Sequence, residues 1–267
     1  MYTIMRNGQL HERHELAIPQ GSGLIYEVIR IMDQTPLFFH EHYDRFINTA
    51  SSSHIDEIPS KEDFRGMVDA FTQKMPKKDY NIKVIFERET GDLYIFENPS
   101  SYPTPELYER GIHTELMVYV RDNPQAKITN NDLTARANAL REKTRAYEVL
   151  LVDSDGNITE GSRSNVFFIG EDGIVTPPLN SVLPGVTRKL IIETCQKISL
   201  PVIETDINSD DIHNCKAAFI SGTSPKILPI RSIGEMVLNS SELPILKKLM
   251  TAFDETISLD LDRYRKS

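Results

Sequence analysis

Tryptophan is absent from this chain of 267 residues, and cysteine occurs only as Cys195 and Cys215. Neither cysteine belongs to a CxxC pair or stands near a histidine at metal-ligand spacing, which argues against a disulfide framework and for a reducing compartment. Long apolar runs are missing too. Nothing approaches the roughly 18 residues that cross a bilayer, and the opening MYTIMRNGQLHERHEL has no apolar core of the signal-peptide kind, so the cytoplasm is the expected location and no membrane is expected as a partner. Positive charge is in deficit, with 30 Lys and Arg against 39 Asp and Glu, a net charge of −9 and a pI near 5.3. That sign opposes a nucleic-acid backbone as partner. Internal repeats, low-complexity tracts, HExxH, a Walker A loop and a GxSxG elbow are absent as well. His40-Glu41-His42 sets two histidines at i and i+2 of a helix start, where they point to different faces, so no metal site is expected. The short lysine-rich stretch from Lys74 to Lys78 reads as a solvated turn.

What remains is an ordinary globular composition, 39% hydrophobic and 26% charged, long enough for two modest domains or one large α/β unit. Leu24 to Met32 alternates as a strand, and Thr35-Pro36 is expected to turn it into a second short strand at Leu37–Phe39. His40 to Ser53 reads as a helix placing His42, Arg45 and Phe46 on neighbouring turns. A second helix runs from about Ser60 to Lys74, with Ser60 and Asp63 at capping-box spacing. Strands at Asn81–Phe86 and Asp92–Phe96 flank the turn Glu89-Thr90-Gly91. The Pro- and Ser-rich stretch from Asn98 to Pro105 cannot sustain helix or central strand, and places a boundary between a small domain, 1–102, and a larger one, 103–267.

The second half is organised around Lys127 to Phe168. Lys127 precedes Asn130, Asn131 and Asp132, candidate N-caps for a helix of roughly four turns carrying Leu133, Ala137 and Leu140. Then come an apolar strand, Tyr147 to Val152, and the hairpin signal Asp155-Gly156. The returning strand carries Glu160 beside Gly161, where backbone and a flat ligand could approach closely, followed by Ser164–Phe168. The stretch reads as the floor of a cofactor site. Further on, Thr114–Val120, Ile174–Thr176, Val202–Glu204 and Ala217–Ile220 read as strands, and Glu242 to about Thr256 as an amphipathic covering helix. LPGVTR at 183–188 sets Gly185, Val186 and Thr187 at a helix start, where free N–H groups and the positive dipole end suit phosphate, although many helices open on Pro-Gly for structural reasons. SGTSP at 221–225 offers hydroxyls and backbone donors for a second anion contact, or is an ordinary turn.

Lys127 with Asn130, TEGSRSNVFF at 159–168, LPGVTR at 183–188 and SGTS at 221–224 occur in the order and spacing of a known family. The chain resembles the class IV, fold-type IV pyridoxal-phosphate aminotransferases, which include branched-chain and D-amino-acid aminotransferases and aminodeoxychorismate lyase. Tyr26-Glu27-Val28 and Glu41-His42-Tyr43-Asp44-Arg45 match its N-terminal pattern. The likeness covers nearly the whole chain and is strongest from Lys127 to Ser224. It implies a two-domain α/β fold, the larger domain holding Lys127 and a mixed sheet or pseudo-barrel, and a homodimer using pyridoxal 5′-phosphate. By the same resemblance Lys127 is the Schiff-base lysine and proton shuttle, and Glu160 faces the pyridine nitrogen and keeps it protonated. Arg45, the Val186 and Thr187 amides and Thr223 hold the phosphate, while Tyr26 and Ser224 line the substrate side. Taken singly, each has a plainer reading: a surface lysine, an exposed glutamate, an i, i+4 pair of Arg45 with Glu41, a core tyrosine.

The implied activity is transamination between an amino acid and a 2-oxo acid. The alternatives are a lyase eliminating pyruvate and a cofactor-binding paralogue without turnover. Four departures from the family pattern bear on specificity. GDLYIF at 91–96 lacks the Arg-x-His pair of D-specific relatives, which disfavours a D-specific enzyme. Asp132 stands five residues after Lys127, where branched-chain relatives place a tyrosine. Lys226 replaces a common acid after the SGT turn, and Gly21-Ser22-Gly23 replaces Gly-Asp-Gly.

Overall fold

The computed structural model describes residues 3–12, 14–55 and 57–267. By contacts the chain forms two compact units: the described residues up to Ser101 with Ala126–Asn130 and Ile257–Ser267, and Tyr102–Gln125 with Asn131–Thr256.

The first unit is built on β1 (Thr3–Arg6), β2 (Gln9–Glu12), β3 (Ile25–Met32), β4 (Thr35–Pro36), α1 (Phe39–Ser52), α2 (Lys61–Lys74), β5 (Tyr80–Glu87) and β6 (Asp92–Asn98). The strands form one antiparallel sheet in the order β2-β1-β6-β5-β3-β4. β3 alternates strictly, so Ile25, Glu27, Ile29 and Ile31 share the buried face. α1 answers with Phe39, His42, Arg45, Phe46, Thr49 and Ala50, the spacing of one helix face. Phe39, Phe46, Phe64 and Phe71 fill the core between sheet and helices. Ser60 caps α2 as expected, its Oγ accepting from the Asp63 amide at 3.1 Å.

The hairpin expected at Thr35-Pro36 is placed differently. The chain reverses at Asp33-Gln34, both with positive φ (46° and 61°), so Thr35–Pro36 is itself the return strand and Leu37–Phe39 leads into α1. A two-residue reversal with both φ positive matches the strand twist, which a turn one step later does not. The β1–β2 hairpin is absent from the sequence reading although Asn7-Gly8, with φ of 48° and 82°, carries the Asn-Gly signal.

The second unit contains α3 (Pro105–Arg110), β7 (Ile112–Val118), α4 (Asn131–Thr144), β8 (Glu148–Val152), β9 (Ile158–Gly161), β10 (Asn165–Ile169), β11 (Ile174–Thr176), α5 (Val186–Lys197), β12 (Val202–Glu204), β13 (Ala217–Gly222), β14 (Lys226–Ile233) and β15 (Met236–Val237). Its nine-stranded sheet runs β12-β11-β10-β13-β14-β7-β8-β9, with β15 on β14. The pairs β11–β12, β14–β7 and β7–β8 are parallel, which makes the sheet mixed. β8 and β10 are buried at every position, the pattern of strands covered on both faces. β14 is a strand the sequence does not announce, because Pro229 interrupts the run and proline removes a ladder donor. The last helix, α6 (Pro244–Lys266), starts two residues after the expected Glu242, with proline at its first position, and continues ten residues beyond Thr256.

Lys127 is expected in the larger domain, yet Ala126–Asn130 cluster with the first unit. Backbone bonding is the reason: Tyr26 N donates to Lys127 O at 3.1 Å, Thr129 N to Leu24 O at 2.9 Å and Gly23 N to Thr129 O at 2.8 Å. The segment lies antiparallel to the start of β3, with Ile25 opposite Ile128.

Candidate active site

In the first unit, β3 and α1 set a charged cluster into an apolar face. Glu27 is fully buried among isoleucines, an untenable place for a lone carboxylate. It accepts from Arg45 Nε at 2.8 Å and Nη2 at 2.7 Å, and from His42 Nδ1 at 2.8 Å. Residues 42 and 45 lie one turn apart on α1 and reach the same carboxylate. Burial alone would push the Glu27 carboxyl up, but the Arg45 charge and the hydrogen bonds from Arg45 and His42 hold it at about 2. Burial also lowers the His42 pKa against the pull of Glu27, so the ring is neutral at pH 7. An ionised carboxylate only accepts, so Nδ1 carries the ring proton. The plain alternative for Arg45, a pair with Glu41, is not what forms; Glu41 instead faces Arg263 at 3.7 Å.

Beside this cluster, Tyr26 lies between two amines: Lys127 Nζ is 4.6 Å from its ring centroid and Lys83 Nζ 4.7 Å. Lys83 stands on β5 opposite Val28 and has no carboxylate partner among the described residues. Desolvation, with the neighbouring Lys127 charge, lowers the Lys83 pKa against the attraction of Tyr26. The Lys127 amide donates to Thr49 Oγ1 of α1 at 3.4 Å, which ties the lysine's backbone to the helix that carries Arg45.

In the second unit, Glu160 sits on β9, where the register with β8 shifts between Leu150 and Val152. Such a bulge re-aims side chains. Glu160 is buried, and its carboxylate takes Arg121 Nη1 on Oε1 at 2.5 Å and the Leu183 amide on Oε2 at 3.1 Å. The following turn is held by Glu148, which accepts from Ser162 Oγ at 2.6 Å, Ser164 Oγ at 2.9 Å and its neighbour's amide, Val149 N, at 2.8 Å. Gly161 reads in the sequence as room for a ligand, but a Cβ there would collide with Ser164 Oγ and meet Glu148 Cγ at 3.1 Å, so the crowding comes from the chain itself.

α5 starts at Val186 with Gly185 as N-cap and no side-chain cap; Val186 and Thr187 are buried at that end. Gly185 is required by packing, since a Cβ would collide with Asn165 Oδ1. Thr223 and Ser224 occupy the turn after β13, and the preceding Ser221 Oγ is buried without a hydrogen-bond partner among the described residues.

The structure thus gathers Tyr26, Arg45 and Lys127 in one unit and Glu160, Val186, Thr187, Thr223 and Ser224 in the other. Glu27, Lys83, Arg121 and Glu148 join them without having been singled out by the sequence. Of these only Glu27 carries a signal, a charge on the apolar face of an alternating strand.

The first unit holds an amine over an aromatic ring and a buried arginine. The second holds a buried carboxylate, a helix start without a side-chain cap and a buried hydroxyl with no partner among the described residues. Each of these groups is of a kind that suits pyridoxal 5′-phosphate.

The family model for amino-transferase class IV matches residues 24–233. A Methanocaldococcus jannaschii protein named "Putative branched-chain-amino-acid aminotransferase" is 29% identical over 252 residues, spanning 88% of this chain and 87% of that one. The D-alanine aminotransferase of Bacillus licheniformis is 25% identical over 95% of this chain and 96% of its own. The crystal structure of the branched-chain aminotransferase from Thermoproteus uzoniensis with norvaline superposes with a TM-score of 0.85 at 20% identity, covering 98% of this chain and 96% of that one. The chain belongs to the class IV aminotransferases, α/β enzymes of fold type IV that perform transamination with pyridoxal 5′-phosphate.

Proposed function

We propose that this enzyme moves the amino group of an α-amino acid to a 2-oxo acid, with Lys127 as covalent anchor of the cofactor and carrier of the α-proton on Nζ. The observation that carries the reading is the placement of Lys127 Nζ over the Tyr26 ring, 4.6 Å from its centroid, with a second amine, Lys83, on the same ring. Pyridoxal phosphate, when bound, supplies an aldehyde for the amino group and a ring that takes up the electrons released with the α-proton. Glu160 holds a proton on the ring nitrogen, and Arg121 supports it by keeping the carboxylate oriented through Oε1. Arg45, the Val186 and Thr187 amides and Thr223 take the phosphate. Tyr26 and Ser224 line the substrate side. Lys83 meets the substrate carboxylate, since a partly buried ammonium with no carboxylate beside it among the described residues is stabilised by an anion.

Borohydride reduction followed by peptide mapping tests the anchor. The purified protein is expected to be yellow and the reduced adduct to lie on Lys127; an adduct on Lys83 or none after reconstitution overturns the assignment. A panel of L- and D-amino acids, followed by the cofactor's absorbance, then gives donor and handedness. A lasting shift to the amine form marks transamination, and no shift with any donor marks a binder without turnover. The pyruvate-eliminating lyase is not favoured, because the curated relatives carry aminotransferase names. The reading includes a homodimer in the cytoplasm. Free Cys195 and Cys215 support a reducing compartment, and light scattering of the holoenzyme measures the assembly.

A further inference from the structure

We propose that Ser232, in the second unit, is an acyl-accepting nucleophile, with His113 as its base and Glu115 as the residue that positions the base. The substrates it fits are small activated acyl compounds, esters or thioesters. None of the three residues has a role in the proposed transamination.

His113 and Ser232 are 119 residues apart in the chain, and the parallel pairing of β7 with β14 sets them side by side. The register shifts between Ile230 and Ser232, a bulge that gives the place beside His113 to Ser232 rather than to the exposed Arg231. Two-residue spacing on β7 puts His113 and Glu115 on one face. The result is a chain of side-chain bonds: Ser232 Oγ to His113 Nδ1 at 2.9 Å, and His113 Nε2 to Glu115 Oε1 at 3.2 Å. An ionised carboxylate only accepts, so in the neutral ring Nε2 carries the proton and Nδ1 offers its lone pair to the serine hydroxyl. That is the order a nucleophile and its base need, with a third group fixing the tautomer. The backbone beneath is held as well: Thr114 Oγ1 donates to Ser232 O at 3.0 Å, and Gly234 N to Thr114 O at 2.9 Å. Ser232 is 8% exposed, but Val237, opposite it on β15, is 73% exposed, so the face they share meets solvent. The limited opening over Ser232 favours a small acyl group, and Val237 gives a short acyl chain an apolar contact. In the step itself Ser232 Oγ attacks the carbonyl carbon and its proton passes to His113 Nδ1. An Oγ–C bond forms, the bond from that carbon to the alcohol or thiol breaks, and the leaving oxygen or sulfur takes the proton from Nδ1.

The test treats the holoenzyme with p-nitrophenyl acetate, an activated ester, and locates acetyl groups by peptide mass spectrometry. Hydroxylamine removes an acetyl group from oxygen and leaves one on a lysine nitrogen, so it separates serine from lysine adducts. Wild-type protein is expected to carry a hydroxylamine-labile acetyl group on Ser232. It should form on the order of 100-fold faster than in protein unfolded in urea at the same pH, the low end of what a positioned base contributes. His113→Gln is expected to lose that acceleration. Glu115→Gln, which keeps the size and removes the charge, should slow labelling less than His113→Gln does, and Glu115→Asp should recover part of the rate, a rescue that packing alone does not give. Ser232→Ala should abolish the labile adduct and leave the transamination half-reaction at its wild-type rate. No labile acetyl group on Ser232 in wild-type protein, or equal rates folded and unfolded, overturns the proposal. Equal rates in wild type and His113→Gln overturn it too, since the serine then reacts without its base. Should the variants not fold, the comparison of folded with unfolded wild-type protein decides.

Discussion

Two buried arginine–glutamate pairs stand in this molecule, and they are built differently. Glu27 and Arg45 share two bonds, with exposures of 0% and 9%, on a strand and a helix that the core presses together. Glu160 and Arg121 meet through Oε1 and Nη1, with side-chain exposures of 5% and 15%, between a strand and the loop after β7. In the first pair His42 supplies a third side-chain bond; in the second a backbone amide, Leu183 N, takes the other carboxylate oxygen. Glu27, His42 and Arg45 of the first cluster all stand on regular secondary structure. The second carries its arginine on irregular chain.

The contrast is sharpened most by removing Glu27. Glu27→Ala leaves Arg45 buried without this carboxylate and is expected to cost about 3–5 kcal/mol of stability, measured by urea unfolding. A loss under about 1 kcal/mol would mean the cluster is solvated. Glu160→Gln acts on rate instead: the variant should stay folded and yellow, with the half-reaction slowed on the order of 100-fold, roughly 3 kcal/mol of barrier. Wild-type rates there would place the carboxylate away from the ring nitrogen. Arg121→Ala takes the guanidinium from Glu160 while the Leu183 amide remains, so a loss of about 1–3 kcal/mol is expected in the same urea series, below that of Glu27→Ala.

Acid should attack the first pair in two stages. His42 resists protonation in the fold, whereas an unfolded histidine takes its proton near 6.5, so stability falls as pH drops below that value. Glu27, held at about 2 against an ordinary 4.5, contributes stability that is complete above 4.5 and lost as pH falls toward 2. Unfolding midpoints measured from pH 7 to 3 should decline throughout and more steeply below 4.5, and His42→Gln should flatten the upper part. The smallest effect concerns helix starts. Ser60→Ala removes the α2 cap for about 1 kcal/mol, seen in the melting temperature without cofactor dependence.

Local signals in the chain carry much of the fold. Alternation over Leu24–Met32, the Ser60 cap, the Pro-rich stretch before Pro105, the Asp-Gly reversal at 155–156 and Pro-Gly before Val186 each report a backbone preference decided within a few residues, and elements stand where those signals point. β14 escapes because Pro229 argues locally against a strand that its neighbours β13 and β7 nonetheless enforce. α6 runs past its expected end because Ile257 and Tyr264 are buried, a gain that no local stop signal announces.

The motif order from Lys127 to Ser224 is legible because cofactor chemistry demands particular residue types at particular spacings, and it names the family without coordinates. Sequence alone also places a charge, Glu27, on an apolar strand face, but does not say what meets it. That is decided by tertiary structure, since Glu27 and Arg45 are 18 residues apart and Arg121 and Glu160 39. A buried charge takes whichever partner the packing brings within about 3 Å, and that choice depends on sheet order and helix placement rather than on neighbours in the chain. The same reason puts Lys127 with the first unit: its backbone bonds to β3 join segments about a hundred residues apart, a pairing only the assembled sheet could specify.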